Sequence, residues 1–193
     1  MPEPEHLTPA GRQILAAAEE LFYERGITAV GVDLVAERSG VTKRTLYNQF
    51  GSKDQLVARC LEERDQRWRS LVRATVDACD DPVDAVTAPF EALRTWSGTN
   101  ARGCAFINAL AEIPDPAHPA HRVAVNQKTW LLDQLTQLAT AACCSAPDVL
   151  ALQLLVLHEG LLALQPLSRD PWVAGTAVAR GLVRAAVRAD VAL

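Results

Sequence analysis

At 193 residues, 49% of them apolar, the chain has enough material to bury a sizeable core, which excludes a disordered protein. A formal net charge of −4 excludes a generally basic nucleic-acid coat protein, so any DNA binding must come from a local basic patch. No stretch approaches the ~20 uninterrupted apolar residues of a membrane span, and the start MPEPEHLTPAGR lacks the basic-then-apolar pattern of a signal peptide. A cytoplasmic protein without membrane contact is expected.

Alanine, leucine, valine and arginine dominate, aromatics are few, and Val, Ile and Thr do not alternate with period two, so the fold class expected is all-α. The first residues, rich in Pro and Glu, read as a mobile arm. A helix begins near Thr8-Pro9, where Thr8 caps and Pro9 suits the first helical position; Ile14, Ala18, Leu21 and Phe22 then recur at helical spacing. Gly26 ends it in the manner of a left-handed cap. A short second helix runs from about Val32 to Arg38, with Val32, Val35 and Ala36 inward, and stops at Ser39-Gly40. A third starts after the N-cap candidate Thr42 and covers roughly Lys43 to Phe50. Helix, short Gly-containing turn, helix is the helix-turn-helix outline.

A fourth, long helix spans Ser52 to about Asp77, with Leu56, Cys60, Leu61, Trp68, Leu71 and Val72 on broadly one side. Asp80-Asp81-Pro82 breaks it. Helices follow over Pro82–Ser97, after a turn at Ser97-Gly98-Thr99-Asn100, and from Arg102-Gly103-Cys104. Pro114, Pro116 and Pro119 mark an irregular connection. Three further helices are expected: Ala120 to Cys143, Pro147 to just before Pro166, and Asp170-Pro171 to about Asp190, about nine in all. Neither internal repeats nor low-complexity segments are present.

The third helix carries the chemistry. From Arg38 to Lys53 there are four basic residues and no acid, a basic island in an acidic chain that suits phosphate contact through counterion release. Val41, Leu46 and Phe50 are spaced to dock inward, which leaves Lys43, Arg44, Thr45, Tyr47 and Asn48 for a DNA groove. Arg and Asn near the start of such a helix can make bidentate contacts with guanine or adenine edges. Thr42, Tyr47 and Lys53 suit phosphate oxygens, which fix register rather than sequence.

Three runs carry a family resemblance: Ala17-Ala18-Glu19-Glu20-Leu21-Phe22-Tyr23-Glu24-Arg25-Gly26, then Val32 through Gly40-Val41, then Thr42-Lys43-Arg44-Thr45-Leu46-Tyr47-Asn48-Gln49-Phe50-Gly51-Ser52-Lys53. This quarter of the chain resembles the DNA-binding domain of the bacterial TetR regulators. The resemblance implies a three-helix helix-turn-helix domain over 1–53, with its mobile arm at 1–7, and a helical ligand-sensing and dimerisation domain over 54–193. It implies operator contacts by Thr45 and Tyr47, added base or backbone contacts by Lys43, Arg44 and Asn48, and a phosphate held by Lys53. Val30-Gly31 departs from the pattern: a hydroxyl residue usually caps the second helix there, so no DNA contact is assigned to it.

The last two helices, about 147–165 and 171–190, are apolar on more than one face (Val149, Leu152, Leu155, Val156, Leu162) or rich in small residues (Ala174, Gly175, Ala177, Ala179, Gly181). By the resemblance they join two copies, so a homodimer on near-palindromic double-stranded operator DNA is expected. A repressor released by a small-molecule effector follows, with candidate ligand contacts Trp96, Asn108, Glu112, His121, Trp130 and His158, and Phe90 available for stacking. Cys104, at a helix start after Gly103, resembles a subgroup with cysteine there. Beside Arg102 its thiol would be acidified, which gives a thiol- or electrophile-responsive regulator as the alternative. His118 and His121 lie near Glu112 and Asp115, but Pro119 prevents a settled helix there and no metal site is expected. No cofactor is expected. An enzyme would need a nucleophile elbow, phosphate-binding loop or zinc motif, none of which occurs; Glu112 with His121 is the one acid–base pair to suggest one.

Overall fold

In the computed structural model residues 7–98, 102–165, 167 and 170–189 are described. The expected arm therefore falls almost wholly outside the described residues, as do Thr99 and Asn100 of the expected turn and Asp190 at the expected end. Among the described residues there are nine helices and no strand: α1 (Pro9–Arg25), α2 (Val32–Ser39), α3 (Lys43–Phe50), α4 (Lys53–Asp77), α5 (Pro82–Ser97), α6 (Ala105–Glu112), α7 (Pro119–Ala141), α8 (Pro147–Ala163) and α9 (Trp172–Ala189). None of these helices is long and apolar enough to cross a membrane.

Local chemistry sets the boundaries. Thr8 Oγ1 accepts the Gly11 amide at 3.0 Å, satisfying one of the first-turn donors, and Pro9 follows it. Thr42 does the same for Thr45 at 3.1 Å, and Ser52 Oγ accepts the Gln55 amide at 3.1 Å. Gly31 caps α2 with backbone alone. Gly40 ends α2 in the left-handed region (φ 69°, ψ 22°). Gly26 corrects the sequence reading. It ends α1 by donating its N–H to Phe22 O at 3.1 Å, but its φ of 92° and ψ of 152° are not the left-handed helical conformation. That region is open essentially to glycine alone. Pro119 is a second correction: it is the first residue of α7 rather than part of a break. A proline at that position loses no hydrogen bond, and His118 Nδ1 accepts the Ala120 amide at 3.1 Å to complete the cap.

Packing divides the chain into two compact units. One gathers the described residues up to Asp65 with Ala105–Val125; the other holds Gln66–Cys104 and the chain from Asn126 onward. In the first, α1, α2 and α3 pack together over Ile14, Ala18, Val30, Val35 and Leu46, all fully buried. Cys60 and Leu61 of α4 are buried as well. α6 is tied in by Glu112, whose carboxylate accepts the Thr28 amide at 2.7 Å in the α1–α2 connection. In the second unit, Trp68 and Val72 of α4, Phe90 and Leu93 of α5, Leu131 and Leu135 of α7, Leu154 of α8 and Val183 of α9 form one apolar core. Gly175 lets α9 approach α8 closely: a Cβ there would stand 2.8 Å from Leu161 Cδ1.

Candidate functional site

Helix α3 has two faces because its apolar residues recur at i and i+4. Leu46 is fully buried and Phe50 nearly so, which fixes the helix on α1 and α2. The opposite face presents Thr42, Lys43, Arg44, Tyr47 and Asn48 to solvent, with Thr45 and Lys53 half-buried. Tyr47 is 44% exposed, a large amphipathic ring left on the surface beside an amide and cations. The Thr42 and Thr45 hydroxyls lie 2.9 Å apart, so the cap orients both. All seven residues expected to touch DNA therefore sit on α3 or at its flanks, in one unit.

The charges are less exposed to a partner than the sequence suggests. Lys43 is ion-paired with Asp33 of α2, and Arg38 with Glu20 of α1 at 2.7 Å. Both pairs are solvated, and exposed pairs of this kind are worth only about 0–1 kcal/mol, so a phosphate can displace the carboxylate. Lys53 donates to Ile27 O at 2.7 Å and stands 6.0 Å over the Phe22 ring, tying the start of α4 to the α1–α2 connection. Its first role is to hold the domain together. Arg44 makes no ion pair among the described residues, which leaves it as the least committed cation of the face.

The residues expected to bind an effector divide between the two units. Asn108, Glu112 and His121 belong to the first, where Glu112 holds Thr28 and the His121 ring nitrogen lies 2.8 Å from Ile113 O. His118, in the same unit, faces Asp54 at 3.3 Å, apart from the His121 contact. Trp96, Cys104, Trp130 and His158 belong to the second unit.

There Trp68 meets Trp96 edge-on at 5.8 Å and His158 at 5.6 Å, while Phe90 meets His158 at 6.0 Å. Trp130 instead carries the Arg69 guanidinium on its face at 4.7 Å. Sequence reasoning missed Lys128. It donates to Cys104 Sγ at 3.1 Å and to Glu159 Oε1 at 2.7 Å, and the same Oε1 lies 3.2 Å from His158 Nδ1.

Burial disfavours the charged form of each member of this chain, and the partners decide the outcome. Burial pushes the Glu159 carboxyl up, but the His158 hydrogen bond and the Lys128 ammonium outweigh it and hold it at about 2. Burial works against the Lys128 ammonium, yet the Cys104 sulfur and Glu159 carboxylate raise its pKa above the usual lysine value. For His158 burial wins and lowers the pKa, against the pull of Glu159. The result is an ionised Lys128–Glu159 pair with a neutral imidazole against it. No signal in the sequence joins Lys128 to Cys104, because the two lie 24 residues apart on different segments.

A family profile described as bacterial regulatory proteins of the tetR family matches residues 14–60, the helix-turn-helix and the start of α4. The transcriptional regulator YjdC of Escherichia coli is 27% identical over 161 residues, covering 81% of this chain and 83% of that protein. Two solved structures align along almost the whole chain at 30% identity. SCO4454, a TetR-family regulator from Streptomyces coelicolor, covers 93% of this chain and 94% of its own at a TM-score of 0.81. The regulator sav143 from Streptomyces avermitilis covers 93% and 98% at 0.82. With the exposed basic and aromatic face of α3 and a match that runs through both units, the chain belongs to the TetR family of transcriptional regulators.

Proposed function

We propose that this regulator is a repressor that binds a near-palindromic operator as a homodimer in the bacterial cytoplasm and is released by a small-molecule effector held in the second unit. The exposed face of α3 carries the reading: Arg44, Tyr47 and Asn48 point to solvent while Leu46 and Phe50 of the same helix are locked in the core. Arg44 and Asn48 supply base-edge contacts; Thr42, Thr45 and Tyr47 supply phosphate contacts; Lys43 joins them once it leaves Asp33. Lys53 adds its charge near the phosphates while holding the α1–α2 connection.

Pairing of copies through α8 and α9 is supported by their surface. Val149, Leu152 and Val156 of α8 are 57%, 54% and 67% exposed, and Val173 and Val178 of α9 are 75% and 51% exposed. So many large apolar side chains on two packed helices call for a cover, and a second copy supplies it symmetrically. An effector that favours one arrangement of the dimer over the other shifts DNA binding only by its differential affinity; a thousandfold change requires roughly 4 kcal/mol of coupling.

Binding of the full chain to its own upstream DNA, and to DNA chosen from a random pool, tests the reading across salt concentrations. Tight, steeply salt-dependent binding that Tyr47→Ala with Arg44→Ala abolishes is expected. A selection that returns no preferred sequence would refute it.

A second reading, a thiol-responsive regulator on the same fold, is favoured by one observation: the Lys128 ammonium 3.1 Å from Cys104 Sγ, which stabilises a thiolate. Alkylation of Cys104 by iodoacetamide, followed by mass spectrometry, is then slowed by Lys128→Met at neutral pH. Equal rates would remove this reading.

A further inference from the structure

The aromatic cluster of the second unit contains two polar atoms that its own residues leave unmatched. His158 is 2% exposed and Trp68 3%, yet His158 Nε2 and Trp68 Nε1 have no hydrogen-bond partner among the described residues. The two rings adjoin at 5.6 Å with 62° between their planes. A buried polar atom without a partner costs the desolvation of that group, so each calls for a complement.

The character of each atom is fixed. An indole N–H can only donate. Glu159, ionised and acceptor-only, lies 3.2 Å from His158 Nδ1, so the imidazole proton sits on Nδ1 and Nε2 presents a lone pair. Burial keeps the ring neutral, so this assignment holds at neutral pH. One unmatched donor and one unmatched acceptor thus stand on adjoining rings, with Phe90 edge-on to His158 and the partly exposed Trp96 edge-on to Trp68.

We infer that the second unit binds an uncharged aromatic hydroxy compound, a phenol or aryl alcohol, whose hydroxyl donates to His158 Nε2 and accepts from Trp68 Nε1–H while its ring packs against Trp96 and Phe90. This rests on the effector-sensing reading above and names the chemistry of its ligand. A hydroxyl is the small group that both donates and accepts at one atom. An ether or ketone answers Trp68 alone. A carboxylate would set its charge against the His158 lone pair and near ionised Glu159. An ammonium would meet Lys128, already held at 2.7 Å by that carboxylate.

The test is titration of the full chain with 4-propylphenol, 4-propylanisole and 4-propylbenzoate, read by tryptophan fluorescence and calorimetry, with operator binding followed in parallel. The phenol is expected to bind and weaken operator binding, with the methyl ether about tenfold weaker for the loss of the donated hydrogen bond. His158→Phe should bring phenol and ether to equal affinity. Trp68→Phe, read in the same titrations, should weaken both because each loses the indole donor. Equal affinity of phenol and ether for the unaltered protein, or a phenol preference that survives His158→Phe, overturns the inference. If the benzoate alone binds and releases operator, the ligand class is wrong and effector sensing stands. If none of the three binds, the hydroxyl site is wrong; effector sensing itself then falls only if a wider ligand screen also leaves operator binding unchanged.

Discussion

Replacing Asp33 by Asn isolates the competition between DNA and the protein's own acid for Lys43. In the free protein the Lys43 ammonium is spent on Asp33, with side chains 56% and 70% exposed. An exposed pair of this kind holds with about 0.2–1 kcal/mol, which converts to an operator affinity about 1.4- to 5-fold tighter for each recognition helix whose acid is removed. Stability should fall by no more than the same amount. Lys43→Met should weaken binding and make the dependence of log K on log salt shallower by about 0.9 for each recognition helix that loses its phosphate contact. Asp33→Asn in the Lys43→Met background should then have no effect. Fluorescence anisotropy on a labelled operator, at salt concentrations spanning a fivefold range, reads all four proteins. A gain from Asp33→Asn that persists without Lys43 would refute the reasoning, because it would mark a general loss of negative charge rather than release of one cation.

Three further outcomes follow from the packing and the charges. Gly175→Ala forces Leu161, 3% exposed, away from α9 and should cost about 1–3 kcal/mol, several degrees of Tm in calorimetry; an unchanged Tm would show that Leu161 yields freely. Glu159, with its carboxyl held at about 2 against 4.5 for the ordinary group, contributes stability that is complete above about 4.5 and lost as pH falls towards 2. Denaturant melts should therefore find Glu159→Gln less stable than the parent at pH 7, with the gap closing in acid; a gap that is constant with pH would sink the idea. Leu152→Glu with Val156→Glu places charge on the exposed face of α8 and should yield a folded monomer by sedimentation, whereas a dimer that survives both changes would move the interface elsewhere.

The helices and their ends were legible in the sequence because their causes are local. Thr8 with Pro9, Thr42 and Gly40 act on amides and carbonyls within a turn of themselves, and the spacing of Leu46 and Phe50 alone orients α3. The solvent-facing side of α3 could be read for the same reason: once the apolar residues of one helix are assigned inward, its polar residues have one direction left. Gly26 marks the edge of this legibility, since it terminates a helix as its type suggests but in a backbone setting beside Glu112 of a distant element.

Partnerships across the chain were decided only by tertiary structure. Glu112 meets Thr28 from 84 residues away, and Lys128 meets Glu159 from 31. No pattern of hydrophobicity or capping encodes such a pair, because the contact exists only after separate helices have been brought together. That is why the basic island of the sequence turned out partly neutralised by Asp33 and Glu20, why Glu112 and His121 lie in the first unit, and why the cation beside Cys104 is Lys128. Local chemistry chose the elements; the burial of their apolar faces chose which charges would meet.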